Sequence, residues 1–160
     1  MYNVKGENNL VKLKNTKYGS LINEDVLSNI FFISRNMDLS TLNELYNITD
    51  CYVSPYRAEG FNLTPLEAAA SGTPIIVTKG GSTDDYFNHK LGLQIESKLI
   101  HNGNLTSLEP NIESIVECIL SIMKSPKNYG GFEGTKYIKT NFTWYSSVKK
   151  LYSIFIDSNE

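Results

Sequence analysis

The sequence predicts a doubly wound α/β fold, with a parallel sheet that carries helices on both faces. Short apolar runs alternate with segments whose apolar residues recur at helical spacing. The apolar runs lack polar alternation, which is typical of parallel strands buried on both faces. The chain has 160 residues, of which 41% are hydrophobic and 20% charged. That size supports one core, and we expect a single domain over residues 1–160.

The first half of the chain alternates predicted strands and helices. We expect extended segments at Val4 and at residues 10–13, and a short buried strand over residues 29–34. Residues 38–49 predict a helix, because four apolar residues recur at its spacing: Leu39, Leu42, Leu45 and Tyr46. Residues 51–54 predict a strand that ends before Pro55.

The second half continues the alternation. Residues 64–71 predict a helix that Gly72 terminates, residues 74–78 a buried strand, and residues 79–82 a glycine turn. Residues 91–95 can form a strand within an otherwise ambiguous segment. Residues 111–124 predict an amphipathic helix whose apolar stripe faces the core: Ile112, Ile115, Val116, Ile119, Ile122 and Met123. Thr143 is expected to cap a closing helix over residues 143–156.

Composition excludes several classes of protein. The net charge is −2, and no basic stripe of the kind that coats nucleic-acid phosphates is present. The sequence contains no run of about 18 apolar residues, so no membrane span is predicted. Residues 1–6 do not resemble a signal peptide. Cys51 and Cys118 have neither CxxC nor zinc-site spacing, and we expect two buried thiols in a reducing compartment. These observations favour a cytoplasmic location.

Two carboxylates flank a predicted helix start. Glu59 lies in the loop after the 51–54 strand, and seven residues separate it from Glu67. Thr64 is predicted as the N-cap, Pro65 as the first helical residue and Glu67 as the third, which is a capping box. Such a terminus carries partial positive charge and free N–H groups, which suit a diphosphate.

Each of these features has an ordinary alternative. Glu67 can serve only to cap its own helix, Glu59 can be a solvated loop residue, and Gly80-Gly81 can be an ordinary turn. The combination favours a ligand, because all of them are predicted at the carboxyl edge of one sheet. Carboxylates accept hydrogen bonds from paired hydroxyls. A hydroxyl-bearing ring on each side of a diphosphate describes a nucleotide sugar.

Residues 55–87, PYRAEGFNLTPLEAAASGTPIIVTKGGSTDDYF, resemble a known family. They are similar to the C-terminal, donor-binding domain of GT-B-fold retaining glycosyltransferases of family four, the group 1-like enzymes. The resemblance rests on the E-x7-E spacing of Glu59 and Glu67, the strand entry with Gly72 and Pro74, and the Gly80-Gly81 loop. It implies a Rossmann-like domain, equivalent to half of a GT-B enzyme, that binds a nucleoside-diphosphate sugar as the hexosyl donor.

The resemblance also implies roles for individual residues. Glu67 would hold the ribose hydroxyls, and Glu59 would be catalytic, contacting the transferred sugar and stabilising its developing positive charge. The diphosphate and sugar would face backbone groups of Phe61, Asn62 and Leu63 together with Thr64. Gly80 and Gly81 would let a second loop approach the donor, and residues 35–37 would lie near the nucleobase. No metal or other cofactor is implied.

The sequence departs from the family pattern in its first part. An N-terminal acceptor-binding domain is expected in the family but is not recognisable here, and the donor half starts near its second strand. The usual diphosphate-binding Arg and Lys precede that point, and the resemblance does not assign Arg57 to their role. We therefore expect weak nucleotide binding and no transfer by this chain alone. It can be a fragment, a truncated gene product or half of a split enzyme, working with an N-terminal domain or second chain. A catalytically inactive interaction module of the same fold is the alternative.

Overall fold

The computed structural model describes residues 15, 16, 19, 23–31, 33, 36–103 and 105–157. The chain divides into two compact units, residues 1–38 and residues 39–160. The single domain expected over residues 1–160 stays a prediction. The extended segments expected at Val4 and residues 10–13 lie outside the described residues.

The described part of the first unit contains one short helix, α1 (Glu24–Ser28). Asn23 caps it, since its side-chain oxygen accepts a hydrogen bond from the Val26 N–H at 2.9 Å. The strand predicted over residues 29–34 is wrong for the described residues, because Asn29, Ile30, Phe31 and Ile33 form no strand. Phe31 and Ile33 are exposed, so they lack the cover that a buried strand requires.

The second unit is built on a parallel sheet of β1 (Tyr52–Ser54), β2 (Ile75–Thr78) and β3 (Gly92–Ile95). The strands lie in the order β1-β2-β3. Val53 pairs with Ile76, and Ile76 pairs with Leu93. The predicted strands at 51–54, 74–78 and 91–95 are therefore confirmed within two residues.

The described residues of this unit form five helices: α2 (Leu39–Ile48), α3 (Leu63–Ala70), α4 (Ile112–Lys124), α5 (Gly131–Asn141) and α6 (Trp144–Asp157). Short 3₁₀ turns occur at Ser82–Asp85 and Pro126–Asn128. Gly72 follows α3 with φ of +93°, as its predicted role as terminator requires. The Thr143 hydroxyl accepts a hydrogen bond from the Ser146 N–H at 3.1 Å, which confirms it as the cap of the closing helix.

The core has two parts, one on each face of the sheet. Ile75 and Val77 pack with residues of α2, α3 and α5. Ile76 and Ile95 pack on the other face with Cys118 and Ile122 of α4. This alternation along β2 gives the doubly wound arrangement that the sequence predicts, because each face of the sheet has its own helical cover.

The apolar stripe of α4 is only partly in the core. Ile122 is buried, and Ile115 and Ile119 pack against the cluster around it. Ile112, Val116 and Met123 are exposed instead. The expectation that the whole stripe faces the core is therefore wrong for these three residues, because the apolar arc of α4 is wider than the surface that covers it.

An antiparallel hairpin of β4 (Ser97–Asn102) and β5 (Leu105–Pro110) follows β3. This hairpin was not predicted from the sequence. Leu99 pairs with Leu108 in the hairpin, but Leu99 is exposed and Leu108 is buried. The hairpin lies between β3 and α4 in the chain and contacts the loops described next.

Candidate functional site

Two loops leave the same edge of the sheet. Ser54 pairs with Val77, so β1 and β2 end close to one another, and residues 55–62 and 79–82 follow them. Tyr56 joins the two loops: its hydroxyl donates a hydrogen bond to the Thr78 carbonyl at 3.1 Å. The same hydroxyl accepts from the Thr83 N–H at 3.2 Å. The predicted placement of the two loops at one carboxyl edge is therefore correct.

The start of α3 differs from the predicted capping box. The helix begins at Leu63, and its N-cap is Asn62 with φ of 60° and no capping hydrogen bond from its side chain. Thr64 and Pro65 are thus already helical, and Glu67 is the fifth helical residue rather than the third. The predicted N-cap at Thr64 and the capping role of Glu67 are wrong.

Side-chain and main-chain contacts hold Asn62 in this left-handed conformation. Its amide donates a hydrogen bond to the Ser54 hydroxyl at 3.0 Å. Its carbonyl accepts one from the buried Tyr86 hydroxyl at 2.9 Å, and its side-chain oxygen accepts one from Thr64 at 3.2 Å. Asparagine tolerates this conformation better than most residues, and the contacts offset the remaining cost.

Glu67 is exposed on α3 and accepts a hydrogen bond from Tyr46 of α2. The Tyr46 hydroxyl lies 3.2 Å from Glu67 Oε2. Burial, with a further contribution from the Glu67 charge, raises the pKa of Tyr46 to about 12. Tyr46 therefore acts as a neutral donor to Glu67 at physiological pH.

Tyr46 was predicted only as one of the apolar residues at helical spacing in residues 38–49, and its polar role was missed. Its ring packs edge-on against Tyr52, with ring centroids 6.0 Å apart. The Tyr52 hydroxyl donates to the Thr64 hydroxyl at 2.8 Å. Two tyrosines thus reach the first two turns of α3. The only signal in the sequence is the polar hydroxyl that each carries at the end of an apolar ring.

Glu59 lies in the loop after β1 and is exposed. Among the residues that the structure describes, it makes no hydrogen bond or ion pair. Burial is the main cause that raises the pKa of Tyr86, and the Glu59 charge makes the smallest of the contributions. Glu59 therefore lies within electrostatic range of Tyr86, whose hydroxyl contacts the same loop at Asn62.

Phe61 and Leu63 expose apolar surface beside these carboxylates. Phe61 packs on Tyr86 with ring centroids 5.4 Å apart, and 41% of its surface remains exposed. Leu63, the first residue of α3, is 61% exposed. The loop therefore offers both apolar and polar surface to a bound molecule.

The Gly80-Gly81 turn packs closely against its neighbours. Gly80 has φ of +92°, and its N–H donates to Asp84 at 2.9 Å. Asp84 also accepts from the Gln94 amide at 2.6 Å, so it joins its own loop to β3. A Cβ on Gly81 would lie 2.7 Å from the Tyr56 hydroxyl, which explains a glycine here.

The two cations near these loops pair with carboxylates. Arg57 forms two hydrogen bonds to Glu109, and Lys79 Nζ lies 2.9 Å from Glu96. The pairing with Glu96 raises the pKa of Lys79. Of the predicted nucleobase loop, Arg35 lies outside the described residues, and Asn36 and Met37 belong to the first unit.

Both cysteines are free thiols. Burial raises the pKa of Cys51 to about 11 and also raises the pKa of Cys118; Cys118 is buried and Cys51 half-buried. Within the described ranges, no group of three or more His, Cys, Asp or Glu side chains could hold a metal ion. No helix in the described part of the chain is long and apolar enough to cross a membrane.

Comparison with known proteins identifies the class to which this fold and site belong. The family model described as "Glycosyl transferases group 1" matches residues 8–134. The chain therefore belongs to the group 1 glycosyltransferase family. Its Rossmann-like α/β fold is similar to sucrose-phosphate synthase from Thermosynechococcus elongatus, with a TM-score of 0.63 and 21% identity. That match covers 89% of this chain and 34% of the synthase.

Two curated proteins are similar in sequence. "Uncharacterized protein 356" of Sulfolobus islandicus rod-shaped virus 1 is 31% identical over 133 residues, covering 76% of this chain and 36% of the viral protein. The lipopolysaccharide core biosynthesis mannosyltransferase LpsB of Rhizobium meliloti (strain 1021) is 40% identical over 53 residues. That second match covers 33% of this chain and 14% of LpsB. The chain thus spans about a third or less of the length of these relatives.

Proposed function

We propose that this chain is the donor-binding half of a retaining glycosyltransferase that transfers a hexosyl group from a nucleoside-diphosphate sugar to an acceptor. The observation that carries the proposal is the arrangement around the start of α3. Glu59 precedes this helix in the loop after β1, Glu67 lies on its second turn, and the Gly80-Gly81 turn leaves the same sheet edge. Membership of the group 1 family supports this choice of ligand over other anions.

The proposed division of roles follows from the chemistry of each group. Glu67, oriented by Tyr46, accepts hydrogen bonds from the ribose hydroxyls. Backbone groups of Phe61, Asn62 and Leu63, with Thr64, face the diphosphate at the positive end of α3. Gly80 and Gly81 allow a close approach, because neither presents a side chain to the donor.

Glu59 has the catalytic role in this proposal. A retaining transfer develops positive charge on the sugar as the diphosphate departs, and a nearby carboxylate stabilises that charge. Glu59 also accepts hydrogen bonds from the sugar hydroxyls and so holds the sugar in place. The mechanism requires neither a covalent nucleophile nor a metal from this chain.

We expect no transfer by this chain alone, because an acceptor site and cations for the diphosphate come from an N-terminal domain or a second chain. In this chain Arg57 and Lys79 pair with Glu109 and Glu96. A helix terminus alone contributes only about 0.3–1 kcal/mol toward an exposed anion. Donor affinity is therefore expected in the millimolar range, which corresponds to about −4 kcal/mol.

Titration with nucleotide sugars tests this proposal. UDP-glucose, GDP-mannose and ADP-glucose are added to the protein, and binding is followed by NMR. One of them is expected to bind, and Glu67→Ala is expected to weaken that binding roughly tenfold through loss of the ribose contacts. Glu113→Ala is the matched control, because Glu113 is also an exposed helical glutamate. The assignment fails if none binds at millimolar concentration or if both variants bind alike.

One observation favours the alternative of a non-catalytic interaction module. The closing helix α6 exposes large apolar side chains along its length: Trp144, Tyr145, Val148, Leu151, Tyr152, Ile154, Phe155 and Ile156. Exposed apolar surface of this extent commonly marks a protein interface. Size-exclusion chromatography with light scattering separates the two functions. A stable oligomer that ignores all three nucleotide sugars supports the module, and a monomer that binds one supports the donor domain.

A further inference from the structure

The β4–β5 hairpin contacts both loops of the candidate site. The Leu108 N–H in β5 donates a hydrogen bond to the Arg57 carbonyl at 2.8 Å, within the loop that follows β1. The Ser97 hydroxyl at the start of β4 donates to the Lys79 carbonyl at 2.7 Å, within the turn that follows β2. One element therefore holds the main chain of two loops that are separate in sequence.

A bidentate ion pair strengthens the first of these connections. Arg57 Nε lies 2.6 Å from Glu109 Oε2, and Arg57 Nη2 lies 2.7 Å from Glu109 Oε1. Two parallel hydrogen bonds between a planar guanidinium and a carboxylate fix orientation as well as distance. Arg57 is held in both its main chain and its side chain, and it precedes Glu59 by two residues.

Leu108 also connects the hairpin with the glycine turn. Its side chain is buried, and a Cβ on Gly81 would lie 2.9 Å from Leu108 Cδ1. A Cβ on Gly80 would lie 3.5 Å from Leu108 Cδ2. The residue whose N–H holds the Glu59 loop thus packs its side chain against the Gly80-Gly81 turn, so displacement of one loop is transmitted to the other.

We propose that the β4–β5 hairpin positions Glu59 for contact with the sugar of the donor, and that Arg57 and Glu109 are its positioning residues. This inference rests on the proposed function, since it takes Glu59 as the group that meets the sugar. An exposed loop without such contacts loses conformational entropy when it binds, and a loop ordered beforehand avoids that cost. The hairpin therefore contributes to recognition of the sugar and leaves recognition of the nucleoside diphosphate to α3.

Glu109→Gln tests this division, because it keeps the size of the side chain and removes its charge. The probe is whichever of UDP-glucose, GDP-mannose and ADP-glucose binds the unmodified protein, measured beside its own nucleoside diphosphate. Glu109→Gln is expected to weaken binding of the sugar nucleotide roughly threefold to tenfold. Binding of the diphosphate alone is expected to change less than about twofold, since Glu59 does not contact it and Asn62 is held by residues outside the hairpin.

Two controls separate positioning from a general structural effect. Glu133→Gln, on α5, breaks the ion pair in which Lys90 Nζ lies 3.1 Å from Glu133 Oε2. It should leave both affinities unchanged. The double variant Arg57→Glu with Glu109→Arg exchanges the two charges. It should restore the affinity for the sugar nucleotide relative to the affinity for its nucleoside diphosphate. The proposal is overturned if Glu109→Gln weakens both ligands equally or neither.

Hydrogen exchange tests the same proposal without a ligand. Mass spectrometry of peptides that cover residues 57–62 and 79–82 should show faster exchange in Glu109→Gln than in Glu133→Gln or the unmodified protein. Unchanged exchange there overturns the positioning role, even if a nucleotide sugar binds. If no nucleotide sugar binds but exchange accelerates, the hairpin still orders the loops, and it is the sugar-donor function that fails.

Discussion

Gly81 is a residue of the site that leaves no room for a side chain. Its Cα faces the Tyr56 hydroxyl and the side chain of Leu108, so any larger residue meets both within 3 Å. Both neighbours are held in place, Tyr56 by hydrogen bonds to Thr78 and Thr83 and Leu108 by burial in the hairpin. A side chain at position 81 therefore cannot be accommodated without displacing one loop.

Gly81→Ala should lower the free energy of unfolding by about 1–3 kcal/mol, the usual cost of overpacking by one methyl group. Chemical denaturation monitored by circular dichroism measures this. Gly60→Ala is the control, because a Cβ there meets no atom within 4 Å. Equal stability of the two variants would show that the turn yields to the added methyl group.

Predictions about individual residues of the site were the least reliable ones made from the sequence. Thr64, Pro65 and Glu67 have the spacing of a capping box, yet the helix begins one residue before Thr64. The hydroxyl of Tyr86 and the side chain of Ser54 stabilise Asn62 in a left-handed conformation, and both are distant in sequence. Local spacing carries no information about such partners, so it predicted the helix but not its cap.

Helix α4 is an element that its own sequence largely determines. The predicted range 111–124 matches Ile112–Lys124, because Asn111 caps the helix and its apolar residues recur at helical spacing. The Asn111 side-chain oxygen accepts the Ser114 N–H at 2.7 Å. The Asn111 N–H donates to the Glu96 carbonyl at 2.8 Å, which joins the start of α4 to the end of β3.

Asn111→Ala should cost about 1 kcal/mol of stability, because the first turn of α4 loses its cap. Thermal unfolding followed by circular dichroism provides the measurement. Asn128→Ala serves for comparison, since the exposed Asn128 side chain makes no hydrogen bond with the described residues. A cost at Asn128 as large as at Asn111 would contradict the capping account.

Other elements depend on contacts that the sequence does not specify. The hairpin was missed because β4 exposes most of its residues, including Leu99, and so lacks a clear apolar face. The strand predicted over residues 29–34 failed for the opposite reason: its residues are apolar, but Phe31 and Ile33 are exposed. Buried parallel strands such as β2 were predicted well, because burial on both faces leaves a continuous apolar run.

The second unit buries, wholly or in part, several tyrosine and cysteine side chains that are uncharged at neutral pH. Burial raises the pKa of Tyr46 to about 12, of Cys51 to about 11, and of Tyr86 above its ordinary value. Each group favours the protonated form more strongly when folded than when unfolded. The folded protein therefore binds more protons than the unfolded chain at alkaline pH, and stability falls as the pH rises.

The loss for Cys51 should begin near pH 9 and continue to about pH 11, and the loss for Tyr46 should run from about pH 10 to 12. Urea denaturation across this range measures the slope of the free energy of unfolding against pH. Tyr46→Phe should flatten the slope above pH 10, because Phe has no proton to lose. Tyr145→Phe, at an exposed tyrosine, is the matched control for removal of a hydroxyl group. A slope that Tyr46→Phe leaves unchanged would contradict this account.

The left-handed Asn62 has a thermodynamic consequence for any molecule that docks at the tip of α3. Hydrogen bonds already hold Asn62, the residue that precedes the helix, to Ser54, Thr64 and Tyr86. The N-terminus of α3 therefore does not have to rearrange when a ligand binds. Binding costs the ligand its translational and rotational entropy, but it costs the protein little conformational entropy. The binding entropy measured by calorimetry should accordingly contain only a small unfavourable contribution from the polypeptide.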